Sequence, residues 1–494
     1  MCTSTQQQIP KILIDGMFLI PSAAQMEMGS QKFTTILDAF GKMTKVYFKD
    51  DANVCFETSM LPTKFYNRSR DLGHVAPGVF FTETDPPRKC EIPECNQIAM
   101  MTGKVDNTYV NTVHVNNTYY LVTDSHIWIE FDPKNLHTHN AIEWNKKDNA
   151  DLHITELGSA HPLRRPNHPN SIVALKTAFA MMPGMQKTLI EIYSVDSDTK
   201  PVKQNRLARF DTNDMLLSSS TKSFTPYMHS FGLTENFAII PIQPVHMDFM
   251  KIIKGTMLNE IFEPVQDDEM PTSMFVVSNL TDGTNIRLKS KSKFWYVHTV
   301  NAFETGSDLL TIDLTTSMKL NPLKSPAVSI QVNLNETQRD EKLKDFKMIV
   351  TRFELNLTSG NVTETQISQS NKSTDFPRIN SNFLGRPYCY YYANEWFHHN
   401  ENTYGSMAVV KQNTCSGERL YWYREGWFPS EPYFVPNDQN DAKEDDGILI
   451  FTATHGVEEY SSLFMLDAHT MQEISEVKIP GDPVTFTTHG EFFF

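Results

Sequence analysis

Ile-Glu-Phe-Asp-Pro-Lys-Asn-Leu (129–136) alternates apolar and polar residues into an aspartate, after which the chain turns and leaves as a second, polar stretch. Alternation with a period of two places Ile129 and Phe131 on one face of a strand. An aspartate at the strand's end accepts hydrogen bonds from its own backbone two residues on, which closes a tight turn between antiparallel strands. The same corner recurs as Ile-Tyr-Ser-Val-Asp-Ser-Asp-Thr (192–199), Phe-Glu-Leu-Asn-Leu-Thr-Ser-Gly (353–360) and Phe-Met-Leu-Asp-Ala-His-Thr (464–470). Further short alternating runs, such as Thr118 to Val122 and Gly447 to Thr454, are bounded by Gly, Pro, Asn and Asp, while long runs of helical period are scarce. This is the pattern of an all-β chain. Four like hairpins spread over the sequence predict propeller blades whose outer strands are joined by these turns, with insertions accounting for the irregular spacing.

The chain has 494 residues, with 44 Lys and Arg against 59 Asp and Glu, a formal charge of −15. Such a surface repels phosphate backbones and excludes a nucleic-acid binder that works through a basic footprint. With 40% hydrophobic and 21% charged residues the composition is that of a globular protein with a sizeable core. Seven blades of about 70 residues would close into one domain over residues 9–494, preceded by a short polar tail, 1–8. The six cysteines, Cys2, Cys55, Cys90, Cys95, Cys389 and Cys415, are few and scattered. Reduced, partly buried thiols are expected, in preference to a zinc site at Cys90 and Cys95, which lack a second matching pair. The first ten residues show no basic segment followed by an apolar one, and the apolar run from Ser171 to Met185 is broken by Lys176 and Pro183. The expected location is therefore cytoplasmic, with peripheral membrane association. On that reading sequons such as Asn67-Arg-Ser and Asn361-Val-Thr carry no weight, since the chain never meets the glycosylation machinery.

Pro244 to Phe262 departs from the β pattern. Phe249, Met250, Ile253, Met257 and Ile261 share one face of a helix drawn over this stretch, with Lys251, Lys254 and Glu260 mostly elsewhere. Such a helix serves equally as a buried core element or as an amphipathic surface on a membrane. Leu355 to Asp375 is rich in Ser, Thr, Asn and Gln and is expected to include a solvated loop, and the acidic run Asn437 to Asp446 a solvated turn rather than a calcium loop.

Of sixteen histidines, four stand in pronounced local contexts: His161 in Gly-Ser-Ala-His-Pro, His229 in Tyr-Met-His-Ser-Phe-Gly, His298 in Val-His-Thr-Val-Asn and His489 in Thr-Thr-His-Gly-Glu. They lie 68, 69 and 191 residues apart, so no hairpin or helix could group them. A propeller could, because inner strands of separate blades converge on the central axis. No HExxH, GxSxG, P-loop or βαβ glycine fingerprint supports a hydrolase or nucleotide enzyme.

These contexts, together with Thr-Asp-Phe-Pro-Arg-Ile-Asn (374–380), Gly-Arg-Pro-Tyr-Cys-Tyr-Tyr-Tyr-Ala (385–393), Pro-Ser-Glu-Pro-Tyr-Phe-Val (429–435) and Glu-Asp-Asp-Gly-Ile-Leu (444–449), occur in the order found in the carotenoid cleavage oxygenases. The chain resembles that family, in its animal branch, from about Ile9 to the C-terminus. The resemblance implies a seven-bladed β-propeller with a small α-helical cap over the iron-bearing face. It implies one Fe(II) per chain held by His161, His229, His298 and His489, with Asp124, Asp375 and Glu431 at the positions of three glutamates that orient the ligand rings. Neutral imidazoles suit iron, and carboxylates behind them fix each tautomer and offset charge. Two of the three are aspartates, a shortfall of roughly 1.5 Å against the useful range of a hydrogen bond. Strand shifts, a bridging water or weaker iron binding would follow. Thr123 matches a position shaping the oxygen and substrate site.

The implied activity is cleavage by dioxygen of a conjugated double bond in a carotenoid or apocarotenoid, with central 15,15′ cleavage of a β-carotene-type substrate to retinal as the first expectation. A retinoid isomerase or coupled isomerooxygenase on the same iron site is the alternative, and a non-catalytic carotenoid-binding propeller a second. Such a substrate must be drawn from a membrane or carrier, and Phe249, Met250, Ile253 and Met257 are the expected tunnel mouth on a membrane surface.

Overall fold

Seven antiparallel sheets succeed one another along the chain and form a seven-bladed β-propeller. The computed structural model describes residues 1–494 except 6, 78–80, 88–105, 116–117, 143–155, 183–184, 197–201, 213–214, 218–223, 249–250, 252–256, 320–334, 345, 370, 438–442 and 485–486. Blade 2 runs outward through Asn111–Val115, Thr118–Val122, Ile129–Asp132 and His137–Ala141, and blade 5 through Trp295–Glu304, Leu309–Ser317, Ile349–Asn356 and Val362–Gln366. Blade 1 takes strands from both ends of the chain. Met17–Gln25 pairs with Phe40–Phe48 on one side and with the C-terminal Glu491–Phe493 on the other, so the last strand closes the ring.

All four corners read from the sequence join the third and fourth strands of a blade, those of blades 2, 3, 5 and 7. The same turn chemistry closes the outer hairpins of the other three. Asp50 accepts from the Asn53 amide, Asn279 from Thr281 and Asn413 from Cys415, at 2.8, 2.8 and 2.9 Å. Apolar faces left by the alternation meet between blades. Val173, Ile190 and Phe210 of blade 3 pack on Ile240 and Val276 of blade 4, and Phe18, Val46 and Phe56 of blade 1 pack on Val435, Ile450 and Met465 of blade 7.

Within the polar tail, Cys2–Ser4 pairs with Asn53–Cys55 at the edge of blade 1. Two expectations are corrected. The cysteines are not reduced: Cys2 is bonded to Cys55 and Cys389 to Cys415, and no cysteine among the described residues is free. Cys90 and Cys95 lie outside the described residues. Finally, no single helix covers Pro244 to Phe262. Val245–Met247 pairs with Phe262–Pro264 as a two-stranded sheet; among the described residues between them Lys251 and Leu258–Ile261 are helical, while 249–250 and 252–256 lie outside the described residues. Val245, Met247, Ile261 and Phe262 are buried on Trp295 and Met348, so strand pairing and packing hold both ends of the stretch. Lys64–Leu72 and Glu336–Leu343 are the longest α-helices among the described residues, and no described helix is long and apolar enough to cross a membrane.

Phe492 in the closing strand is buried with Phe18 and Phe48. Replacing it with alanine leaves a cavity at the ring's seam and is expected to cost about 3–5 kcal/mol, measured by denaturant unfolding.

Candidate metal centre

The inner path of the propeller carries one polar side chain from every blade to the axis. His489 leads into the closing strand of blade 1, His161 lies between the inner strands Glu156–Gly158 and Leu163–Arg165 of blade 3, and His229 precedes Gly232–Leu233 of blade 4. His298 stands within the inner strand of blade 5. Asp124 follows the second strand of blade 2, Asp375 lies on the inner strand Ser373–Arg378 of blade 6, and Glu431 between Trp427–Pro429 and Tyr433–Pro436 of blade 7.

The four histidines meet, each offering one ligand atom, and those atoms all lie within 4.8 Å of one another. His161 Nε2 and His229 Nε2 are 3.1 Å apart. Behind three of the rings stand the carboxylates: His229 Nδ1 is 3.0 Å from both oxygens of Asp124, His298 Nδ1 is 2.7 Å from Asp375 Oδ1, and His489 Nδ1 is 3.0 Å from Glu431 Oε1. A carboxylate accepts, so each Nδ1 carries the proton and each Nε2 turns a lone pair inward. Burial and the neighbouring imidazoles push His161 well below the usual histidine range, and burial, outweighing Glu431, pushes His489 down to about 4.

The shortfall expected of the aspartates does not occur: both reach their rings directly, and local backbone geometry sets each carboxylate close to its ring. Gly158 N donates to Asp124 O at 3.1 Å, and a Cβ on Gly158 would lie 2.6 Å from Ser125 O. Blades 2 and 3 approach this closely only because residue 158 has no side chain. At Asp375 the pairing of Ser373–Arg378 with Tyr390–Trp396 shifts register, and Phe376 sits in the left-handed region at φ 54°. This bulge re-aims Asp375 at His298, and the Phe376 amide donates to Asp375 Oδ1 at 2.9 Å. The His298 imidazole and that amide, working against burial, hold Asp375 below the usual carboxylate range.

Sequence reading missed three residues that complete the centre. Arg378 donates to Glu431 Oε2 at 2.9 Å and to the Gly490 carbonyl at 2.8 Å, and stands 3.7 Å from Glu491, fastening the His489 segment to blades 6 and 7. Working against burial, it keeps Glu431 below the usual carboxylate range. Tyr227 donates its hydroxyl to Asp124 Oδ2 at 2.9 Å and stacks on Trp295, ring centroids 5.8 Å apart. Phe376 brings its ring 5.1 Å from that of His298 and 5.6 Å from that of His489. Arg378 and Phe376 fall in the quoted stretch 374–380, and Tyr227 two residues before a ligand histidine, but their partners lie up to 113 residues away and leave no local signal. Thr123 is half-buried beside Asp124. Met257 packs against the cluster of Phe33, Phe40 and Phe65, while Phe249, Met250 and Ile253 lie outside the described residues. Phe492 and Phe493 are core residues and Phe494 is exposed.

The donor set fits a transition-metal ion. Neighbouring nitrogens on an ion at a bond length of about 2.1 Å lie about 3 Å apart, close to the 3.1 Å between the Nε2 atoms of His161 and His229.

A seven-bladed propeller with four axial histidines and three carboxylates behind them defines the class. The family model described as retinal pigment epithelial membrane protein matches residues 2–494, and the chain belongs to this family, the carotenoid oxygenases. It is 23% identical over 499 residues to the carotenoid isomerooxygenase of Galleria mellonella, covering 98% of this chain and 92% of that one. The beta,beta-carotene 15,15'-dioxygenase of Gallus gallus is 21% identical, with 96% and 92% covered. The fold matches the crystal structure of cobalt-substituted Synechocystis ACO with a TM-score of 0.78 at 16% identity, over 100% of this chain and 96% of that one.

Asp375→Asn keeps the shape and loses the charge. It is expected to weaken Co(II) binding about 10- to 100-fold, read by calorimetric titration, whereas Asp375→Glu restores the length common in the family and is expected to bring no gain.

Proposed function

We propose that the protein is an Fe(II)-dependent dioxygenase that cleaves a conjugated double bond of a carotenoid or apocarotenoid, with central 15,15′ cleavage of a β-carotene-type substrate to retinal as the first candidate reaction. The observation that carries this reading is the ring of four imidazoles, three of them with a protonated Nδ1 tied outward to a carboxylate and an Nε2 turned inward. His161, His229, His298 and His489 would hold one ferrous ion, a role supported by the metal named in the cobalt-substituted ACO. Iron, when bound, supplies the activation of dioxygen.

The chain's own residues do the rest. Asp124, Asp375 and Glu431 keep three rings in one tautomer and offset the charge of a divalent ion. Arg378 holds the closing strand so that His489 stays on the axis. Phe376 and Tyr227 bring their rings beside the histidines, with Trp295 stacked on Tyr227, surroundings suited to a polyene and to positive charge developing on it. Which bond is cut is then a matter of how far the substrate slides past these walls, a positioning effect. Thr123, beside Asp124, is assigned to shaping the oxygen and substrate site. The short helices pack on this side of the molecule, Leu343 with Trp396, Phe397 and Phe376, and Leu258 and Ile261 with Trp295 and Tyr227. They are assigned to the helical cap, and the segment before Met257 to the tunnel mouth on a membrane surface.

A second reading, cleavage coupled to isomerisation, is favoured by the likeness to the Galleria mellonella isomerooxygenase. The direct hydrogen bonds of Asp124 and Asp375 to His229 and His298 speak against the non-catalytic alternative.

Incubation of iron-loaded protein with a carotenoid panel under ¹⁸O-labelled dioxygen is expected to give aldehydes whose carbonyls both carry label, with activity lost to a chelator and restored by Fe(II). Isomerised product without label would refute dioxygenase chemistry.

A further inference from the structure

Two observations independent of the metal centre point to the compartment in which this chain matures. Cys2 lies opposite Cys55 in the register of blade 1, with Cα atoms 3.9 Å apart, and Cys389 meets Cys415 in blade 6 at 5.2 Å, across 53 and 26 residues of sequence. Each bond ties a weak point of its sheet. The first fastens an edge strand of only three residues, and the second fastens the start of the blade's second strand to the turn of its outer hairpin, where the Thr414 amide also donates to the Cys389 carbonyl at 2.7 Å. Disulfides of this structural kind persist in oxidising compartments and are kept reduced in the cytosol.

The chain has seven Asn-X-Ser/Thr sequons, at Asn67, Asn116, Asn279, Asn335, Asn356, Asn361 and Asn371, and two of them contrast in whether they could carry a glycan. At Asn67-Arg-Ser the third residue, Ser69, is fully buried and Asn67 Nδ2 donates to the Pro62 carbonyl at 3.0 Å. At Asn361-Val-Thr both Asn361 and Thr363 are exposed while Val362 anchors the strand in the core. The position on the blade also matters. Asn361 pairs its carbonyl with the Asn356 amide, and Asn356 lies opposite Leu309, near the end of the blade where Glu304 pairs with Leu310. His298 lies toward the other end, where Trp295 pairs with Ser317 and Thr316 with Ile349. A bulky polar group on Asn361 therefore hangs from the end of blade 5 away from the histidines and leaves them accessible.

We propose that the chain matures in an oxidising, glycosylating compartment, and that Asn361 is an N-glycan acceptor there. Each disulfide forms as two thiols give two protons and two electrons to a disulfide-carrying oxidoreductase of that compartment. The glycan comes from an oligosaccharide linked to a lipid diphosphate: C1 of the first sugar bonds to Asn361 Nδ2, which loses a proton, and the diphosphate leaves.

The test uses protein captured from its native tissue after alkylation of free thiols before lysis, then treated with an N-glycosidase in heavy-oxygen water and mapped by peptide mass spectrometry. The expected result is linked, unalkylated Cys389 and Cys415, heavy-oxygen conversion of residue 361 to aspartate, and an unconverted Asn67. In the same cells, full-length Asn361→Gln should lose one glycosidase-sensitive mobility step and Asn67→Gln none. Alkylated Cys389 and Cys415, or linked cysteines beside an unmodified Asn361, would overturn the proposal.

Discussion

Four imidazole rings whose ligand atoms lie within 4.8 Å of one another are stable side by side only if none of them is charged and each is fixed by its outer nitrogen. Burial supplies the first condition at His161 and His489. Carboxylates supply the second at His229, His298 and His489. The rest of the molecule can be understood as the means of bringing three buried acids and four buried histidines to one axis without leaving any of the acids unpaired. A buried carboxylate without a partner would protonate and release its ring.

The propeller meets this demand by geometry. Each blade contributes its inner path once, and local irregularities set the reach. Gly158 lets blade 2 come close enough for Asp124, and the bulge with left-handed Phe376 turns Asp375 toward His298. Closure of the ring is part of the same device. His489 leads into the strand that seals blade 1, and Arg378 clamps this segment through Glu431, Glu491 and the Gly490 carbonyl. Stability of the fold and integrity of the centre therefore share one seam.

Much of this was legible in the sequence because propeller turns and axial histidines leave local marks. The Asx corners at 129–136, 192–199, 353–360 and 464–470 all proved to be outer hairpins, and the contexts of His161, His229, His298 and His489 marked the residues that converge. Three corners went unread because Asp50, Asn279 and Asn413 end strands whose alternation is weaker. At 244–262 the helical period runs on into both ends of the stretch, where Val245–Met247 and Phe262–Pro264 instead pair as a two-stranded sheet packed on Trp295. The cysteines misled because pairing across 53 and 26 residues is a property of the fold, invisible in spacing. The length of Asp124 and Asp375 looked like a defect because side-chain reach is readable in sequence and backbone approach is not.

The central claim is that four neutral imidazoles, and no carboxylate, form the protein's share of one metal site. X-ray absorption at the iron edge of Fe(II)-reconstituted protein tests this directly. Four imidazole nitrogens at about 2.1 Å, with their outer-ring scattering, are the predicted result. A shell with three imidazoles or fewer, or with a carboxylate oxygen from Asp124, Asp375 or Glu431 in it, would contradict it.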